Sequence, residues 1–219
     1  MSSPIAFHFD FISPYAYLAW TQIHGLAARH GREVAAVPTL LAPLLAHGGT
    51  KGPAEIPAKR TYTFFDVMRS AHVLGVPMAP PPSHPFNPLL ALRVASLEMP
   101  QGDRRRLIDA LYAAVWAKRQ GVETPEKVAA AASEAGFDGN ELVRRAGEQD
   151  AKDRLRKQTD DAIAAGIFGV PTMMVDGEMF WGLDSFGHLE RQLRGEGLDV
   201  RAKAREWGRV APSATRSPS

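Results

Sequence analysis

The sequence predicts an α/β fold in which a split α/β domain carries an inserted all-α domain. Three observations predict it. A strand-like run meets a helix-like run within residues 5–31, and a second strand follows. No convincing strand appears between Pro57 and about Gly147. The chain then returns to strand pairing through an Asp-Gly turn at 176–177. Strand, helix, strand is the start of a parallel pair, whose crossover needs a helix.

Residues 5–12 (IAFHFDFI) alternate, with Ile5, Phe7, Phe9 and Phe11 on one face, the period of a strand. Pro14 suits the first helical position, and Ser13 is then a natural N-cap. Tyr17, Trp20, Ile23, Leu26 and Ala27 follow at helical spacing as far as Gly31, a C-cap candidate. "EVAAVPTLL" reads as the second strand, ended by Pro38. In the middle segment, residues 59–74 predict a helix ending before Gly75, and "MAPPPSHPFNP" predicts a rigid proline-rich loop. Leu89–Leu97 predicts a short helix. Asp103 is expected to cap the next, whose apolar stripe is Leu107, Ile108, Leu111, Tyr112, Val115 and Trp116. Thr124-Pro125 opens another helix, and Asp138 with Glu141 has the spacing of a capping box. Residues 149–165 predict a helix stopping at Gly166. "VPTMMVDG" and "EMFWG" predict a hairpin, and Asp184 opens a last helix, "DSFGHLERQLR".

Composition narrows the function classes. The chain has 219 residues, 45% hydrophobic and 23% charged, ordinary values for a globular protein with a sizeable core. No apolar run approaches the ~20 residues of a membrane helix. Asp10 interrupts the first apolar stretch, which is not the order of a secretion signal, so a cytoplasmic location is expected. The net charge of +2 is mild, and Arg104–Arg106 and Arg154–Lys157 sit among acidic residues as solvated helix faces, so no nucleic-acid partner is expected. Cysteine is absent, which excludes a disulfide, a thiolate zinc site and a cysteine nucleophile. None of the seven histidines pair at i, i+4, so no metal site is expected. Phosphate-binding glycine loops and the G-x-S-x-G elbow are missing as well.

Taken together, "DFISPYAYLA", "IPAKRTY" and "GVPTMMVDGEMFWGLD" resemble the 2-hydroxychromene-2-carboxylate isomerases and the related kappa-class glutathione transferases. The resemblance runs from about Ile5 to Leu193. It implies a thioredoxin-like domain of the DsbA type over 1–57 and 148–207 with a helical insertion over 58–147; the composition of the tail, "APSATRSPS", predicts disorder over 208–219. Ser13-Pro14-Tyr15-Ala16 stands where that fold carries C-x-x-C, and Gly169–Thr172 stands for its cis-proline loop. With no cysteine present, the thiol must come with a ligand, and in these families that ligand is glutathione.

The resemblance also implies the site. Ser13 hydrogen-bonds the glutathione sulfur, beside its plain reading as a helix cap. A helix N-terminus favours an anion, and a hydroxyl donates without competing as a nucleophile. Val170 offers its backbone to the cysteinyl unit beside its strand packing, and Pro171 is the cis-proline. Asp184 pairs the γ-glutamyl ammonium and Ser185 its carboxylate, each otherwise a helix cap. Isomerases of the family often carry arginine after this aspartate, whereas kappa transferases carry serine. Lys59 reaches the ligand's carboxylates, and Thr50 stands where isomerases often have asparagine. Asn87 and Arg93 are candidates for the substrate's carboxylate or hydroxyl, whereas His84 reads as a loop residue. The implied activity is glutathione-dependent interconversion of 2-hydroxychromene-2-carboxylate and trans-o-hydroxybenzylidenepyruvate, small aromatic enone carboxylates, by a homodimer. The alternatives are a kappa-like glutathione transferase and a non-catalytic thioredoxin-fold binding module.

Overall fold

A computed structural model describes residues 3–213 of the chain. Strand β1 (Ile5–Phe9) runs parallel to β2 (Val34–Pro38) and antiparallel to β3 (Thr172–Val175), which pairs with β4 (Glu178–Trp181). The sheet order is β2-β1-β3-β4, so β1 is a central strand. Its alternation is real: Ile5, Phe7, Phe9 and Phe11 are all fully buried. His8 and Asp10, on the opposite face, are buried too, because helices cover both sides of the strand.

Helix α1 (Pro14–Arg29) makes the crossover between β1 and β2. Ser13 caps it, its Oγ accepting from the Ala16 amide at 3.2 Å. It ends one residue before the expected stop, at His30. Gly31, at φ 62, then lets Arg32 N and Gly31 N return to the carbonyls of Ala27 and Ala28. The second strand ends where the sequence reading ended it. It stops at Pro38, and Leu41 begins a helix absent from the sequence reading, α2 (Leu41–His47), followed by a 3-10 turn at Pro53–Glu55. Leu40 precedes α2 and gives no side-chain cap. Asp10, the residue after β1, supplies one instead, its Oδ2 accepting from Leu41 N at 2.9 Å.

Between α2 and β3 the described residues form helices and loops only. They are α3 (Pro57–Leu74), α4 (Leu89–Ser96), α5 (Gln101–Trp116), α6 (Pro125–Glu134), α7 (Gly139–Ala146) and α8 (Gln149–Ala164). Thr124 caps α6, as its position before a proline predicts. Asp103 does not cap α5. That helix starts two residues earlier, after Pro100, and Asp103 sits in its first turn, where the helix dipole favours an acid. Asp138 caps α7 by accepting from Glu141 N at 3.0 Å, but the Glu141 carboxylate pairs with Arg144 at 2.6 Å, away from the cap. The Asp176-Gly177 turn has φ of 50 and 80, the two left-handed residues of a tight hairpin. A 3-10 turn (Leu183–Ser185) precedes α9 (Phe186–Leu193), so Asp184 lies in that turn and does not cap the helix. A further helix, α10 (Val200–Trp207), follows. Of the segment 208–219 expected to be disordered, 214–219 lie outside the described residues. No helix among the described residues is long and apolar enough to cross a membrane.

One buried cluster serves the sheet and the helices together: Phe9 and Phe11 of the β1 face meet Tyr112 of α5 at centroid distances of 5.8 and 4.8 Å. Helices α6 and α7 approach so closely that a Cβ at Gly139 would lie 2.0 Å from the Ala129 carbonyl oxygen. Gly139→Ala is therefore expected to lower unfolding free energy by about 1–3 kcal/mol in urea titration, as overpacking against rigid backbone does.

Burial also sets a pH response. His8, whose Nδ1 meets Thr39 Oγ1 at 3.2 Å, and His24 are both pushed down to about 4 by burial. Unfolded imidazoles take protons as pH falls through about 6.5 while these two remain neutral, so stability is lost between about 6.5 and 4. Buried Asp10 is raised to about 7 and acts oppositely, losing stability as pH rises through the same range. Two groups outweigh one. The urea midpoint is expected to rise from pH 4.5 to 6.5, and His24→Gln to flatten the rise; a midpoint falling with pH would contradict neutral histidines.

Candidate functional site

A cleft of about 1100 Å³ opens at the end of β1 where α1 begins. Its walls come from the β1–α1 turn, α2, the start of α3, the loop before α4 and the loop before β3. The lining is mainly apolar, including Tyr62, Phe64, Phe86, Phe168 and Trp181.

Ser13 sits in this cleft and is mostly buried. Its Oγ has two neighbours. One lone pair takes the Ala16 amide, and the hydroxyl proton points to the Val170 carbonyl at 3.5 Å. That distance exceeds the usual 2.5–3.0 Å of an O–H···O bond, so the proton is held weakly. Ser13 therefore caps the helix while its own donor is only weakly engaged. The positive end of the α1 dipole lies at the same place and favours an anion there.

The Val170–Pro171 bond is cis, and Val170 lines the cleft across from Ser13. Beside it, Phe168 and Trp181 form an exposed aromatic pair with centroids 5.0 Å apart. Trp181 packs over Gly169 so tightly that a Cβ there would lie 2.8 Å from its Nε1. A side chain at the glycine of "GVPT" would therefore displace the Trp181 ring.

Thr50, Lys59 and Asn87 also line the cleft. Asn87 has a structural task as well, its Oδ1 accepting from Leu89 N at 3.0 Å at the start of α4. Arg93 is not brought there. It lies within α4, and its Nε is buried with no partner among the described residues. Asp184 and Ser185 stand outside the cleft lining, in the 3-10 turn after β4, where the Ser185 hydroxyl donates to the Gly182 carbonyl at 2.8 Å. Asp184 is still an electrostatic neighbour of the cleft. Burial pushes the Tyr15 phenol up, and so do its hydrogen bond to Asp66 and the charges of Asp66, Tyr62 and Asp184.

The residues missed from sequence are tertiary partners of those found. Tyr15 Oη donates to Asp66 Oδ2 at 2.7 Å, which sets a carboxylate of α3 beside the Ser13 turn. His84 Nε2 lies 3.0 Å from the Ile12 carbonyl, and Arg60 Nη2 donates to the His84 carbonyl at 2.8 Å. No local pattern announces Asp66. Tyr15, in contrast, is inside the "SPY" motif, and His84 is inside "SHPFNP".

The donor set is mixed. A hydroxyl and a helix N-terminus suit a thiolate, Asp66 and Asp184 suit an ammonium, and Lys59 and Arg60 suit carboxylates. No group of acidic, histidine or cysteine side chains that would hold a metal ion occurs among the described residues.

A family model of the DSBA-like thioredoxin domain matches residues 4–194. The chain is 28% identical over 195 residues to a 2-hydroxychromene-2-carboxylate isomerase of Sphingobium xenophagum, covering 88% of this chain and 99% of the relative. It is 25% identical over 185 residues to glutathione S-transferase kappa 1 of Rattus norvegicus, covering 78% and 81% of the two chains. Among solved structures, a 2-hydroxychromene-2-carboxylate isomerase superposes with a TM-score of 0.80 at 23% identity, over 94% of this chain and 99% of the other.

Proposed function

The chain belongs to the DSBA-like thioredoxin family, and from that premise we propose that it is a glutathione-dependent isomerase interconverting 2-hydroxychromene-2-carboxylate and trans-o-hydroxybenzylidenepyruvate-type aromatic intermediates. The observation that carries the reading is Ser13. In a family whose members carry out thiol chemistry, this chain has a weakly engaged hydroxyl at the helix N-terminus and no cysteine anywhere. Relatives named as isomerases and as kappa transferases support it from outside the structure.

When bound, glutathione would supply the thiolate for reversible addition to a conjugated enone, with no net conjugation. The residues of this chain do the rest. Ser13 turns its proton from the Val170 carbonyl to the sulfur, and the α1 dipole lowers the cost of the charge. Val170 presents backbone groups to the cysteinyl unit as a strand edge would. Asp184, with Asp66 beside Tyr15, attracts the ammonium. Lys59 and Arg60 attract carboxylates, and Thr50 adds a hydroxyl. The aromatic walls exclude water and hold a planar substrate close to the sulfur. Asn87 lines the same cleft and offers its amide to the oxygen that gains charge as the enone is attacked.

A kappa-like transferase is the second reading, favoured by Ser185 after Asp184. One experiment separates the two: hydroxybenzylidenepyruvate is incubated with enzyme and with trace, excess or no glutathione, following its absorbance and free thiol. The isomerase reading expects complete interconversion at trace glutathione, with thiol unchanged. Stoichiometric thiol loss means the transferase, and no glutathione dependence sinks both.

A further inference from the structure

Consecutive carbonyls ahead of Ser13 are each met by a side chain from the helical segment. Tyr112 Oη lies 3.5 Å from Asp10 O, Trp116 Nε1 donates to Phe11 O at 2.9 Å, and His84 Nε2 lies 3.0 Å from Ile12 O. A carbonyl only accepts, so His84 must carry its proton on Nε2. Burial holds its pKa below the usual 6.5, leaving the ring neutral near pH 7. The lone pair is then on Nδ1, which is buried with no partner among the described residues. The ring packs against Phe64 and Trp116 at centroid distances of 5.4 and 5.5 Å. A phenylalanine would fill that space without an unpaired nitrogen, so packing alone does not account for an imidazole here. What the imidazole adds is the donor to Ile12.

Among these side chains His84 is the one that lines the cleft, and its bond is to the peptide joining Ile12 to Ser13. Rotation of that peptide would swing Ser13 Oγ away from its place between Ala16 N at 3.2 Å and Val170 O at 3.5 Å. Arg60 anchors the other side, through the His84 carbonyl.

We propose that His84 is a positioning residue for Ser13: its Nε2–H bond to the Ile12 carbonyl fixes the peptide ahead of Ser13 and aims the serine hydroxyl into the cleft. The effect on a bound thiol rests on the glutathione reading above, whereas the positioning itself does not.

The test compares wild type, His84→Phe and His84→Gln. Without ligand, nitrogen-edited imidazole spectra should show the Nε2–H tautomer. His84→Phe should melt within a few degrees of wild type, because it loses one hydrogen bond and also removes the unpaired Nδ1. Amide exchange at Ser13 and Ala16, which are bonded to Asp10 O and Ser13 Oγ, should nevertheless speed up about tenfold. His84→Gln, which can present an N–H to Ile12, should return it to within about threefold of wild type. With glutathione bound, His84→Phe should lower the thiolate fraction at pH 7 by about three- to tenfold, with affinity changed less than that. An Nδ1–H tautomer, or equal exchange in wild type and His84→Phe, overturns the proposal. If wild type binds no glutathione, the functional reading falls, and the exchange comparison alone decides the role of His84.

Discussion

Ser13→Ala is expected to slow turnover by one to two decades at neutral pH. The substitution removes the donor to the sulfur, and a hydrogen bond to a charged group is worth about 1.5–3 kcal/mol. Glutathione binding should weaken less, because the proposed function gives the γ-glutamyl and glycyl ends their own partners in Asp184, Lys59 and Arg60. The same change removes the cap on Ala16 N, so stability should fall by about 1 kcal/mol. The two roles separate in one variant. Ser13→Thr keeps the hydroxyl, restores the cap, and crowds the sulfur. Turnover measured at pH 7 for the alanine and threonine variants, beside their urea midpoints, checks the assignment. A stability loss with unchanged turnover would leave Ser13 as a helix cap alone.

Trp116→Ala is expected to have the largest effect on the fold. The side chain is 1% exposed, donates to Phe11 O at 2.9 Å and packs against the His84 ring. Truncation leaves an indole-sized cavity beneath the Ser13 turn and an unpaired buried carbonyl, a loss of about 3–5 kcal/mol. That is a large share of the ~5–15 kcal/mol by which a folded chain is stable, and it should lower the urea midpoint by about 1–2 M. Trp116→Phe keeps most of the volume and lacks the donor, so it should cost about 1–2 kcal/mol. An alanine variant that loses under about 1 kcal/mol would contradict the packing described for this turn.

The parts of the fold legible in the sequence are those set by local chemistry. Ser13-Pro14 caps α1, Gly31 and Gly75 take left-handed φ of 62 and 65, and Asp176-Gly177 makes the hairpin turn. The stripe from Leu107 to Trp116 is buried as its spacing predicts. Helix α2 was not legible, because its apolar residues continue the run of β2 and its cap comes from Asp10, 31 residues away. Asp184 looked like a cap, but a 3-10 turn separates it from α9. The candidate site divides the same way. Ser13, Val170 and Pro171 stand in short motifs. Asp66 and His84 acquire roles only through contacts to Tyr15 and Ile12, 51 and 72 residues away, which no local pattern encodes.

In the proposed function, the Ser13 turn stabilises a thiolate the chain does not itself carry. Its most direct measurement is the ultraviolet thiolate band of protein-bound glutathione against pH. The bound thiol should titrate one unit or more below the ~8.5 of a free thiol, with that shift lost in Ser13→Ala. A bound thiol that titrates like free glutathione, or no binding at about 10 mM, would contradict it.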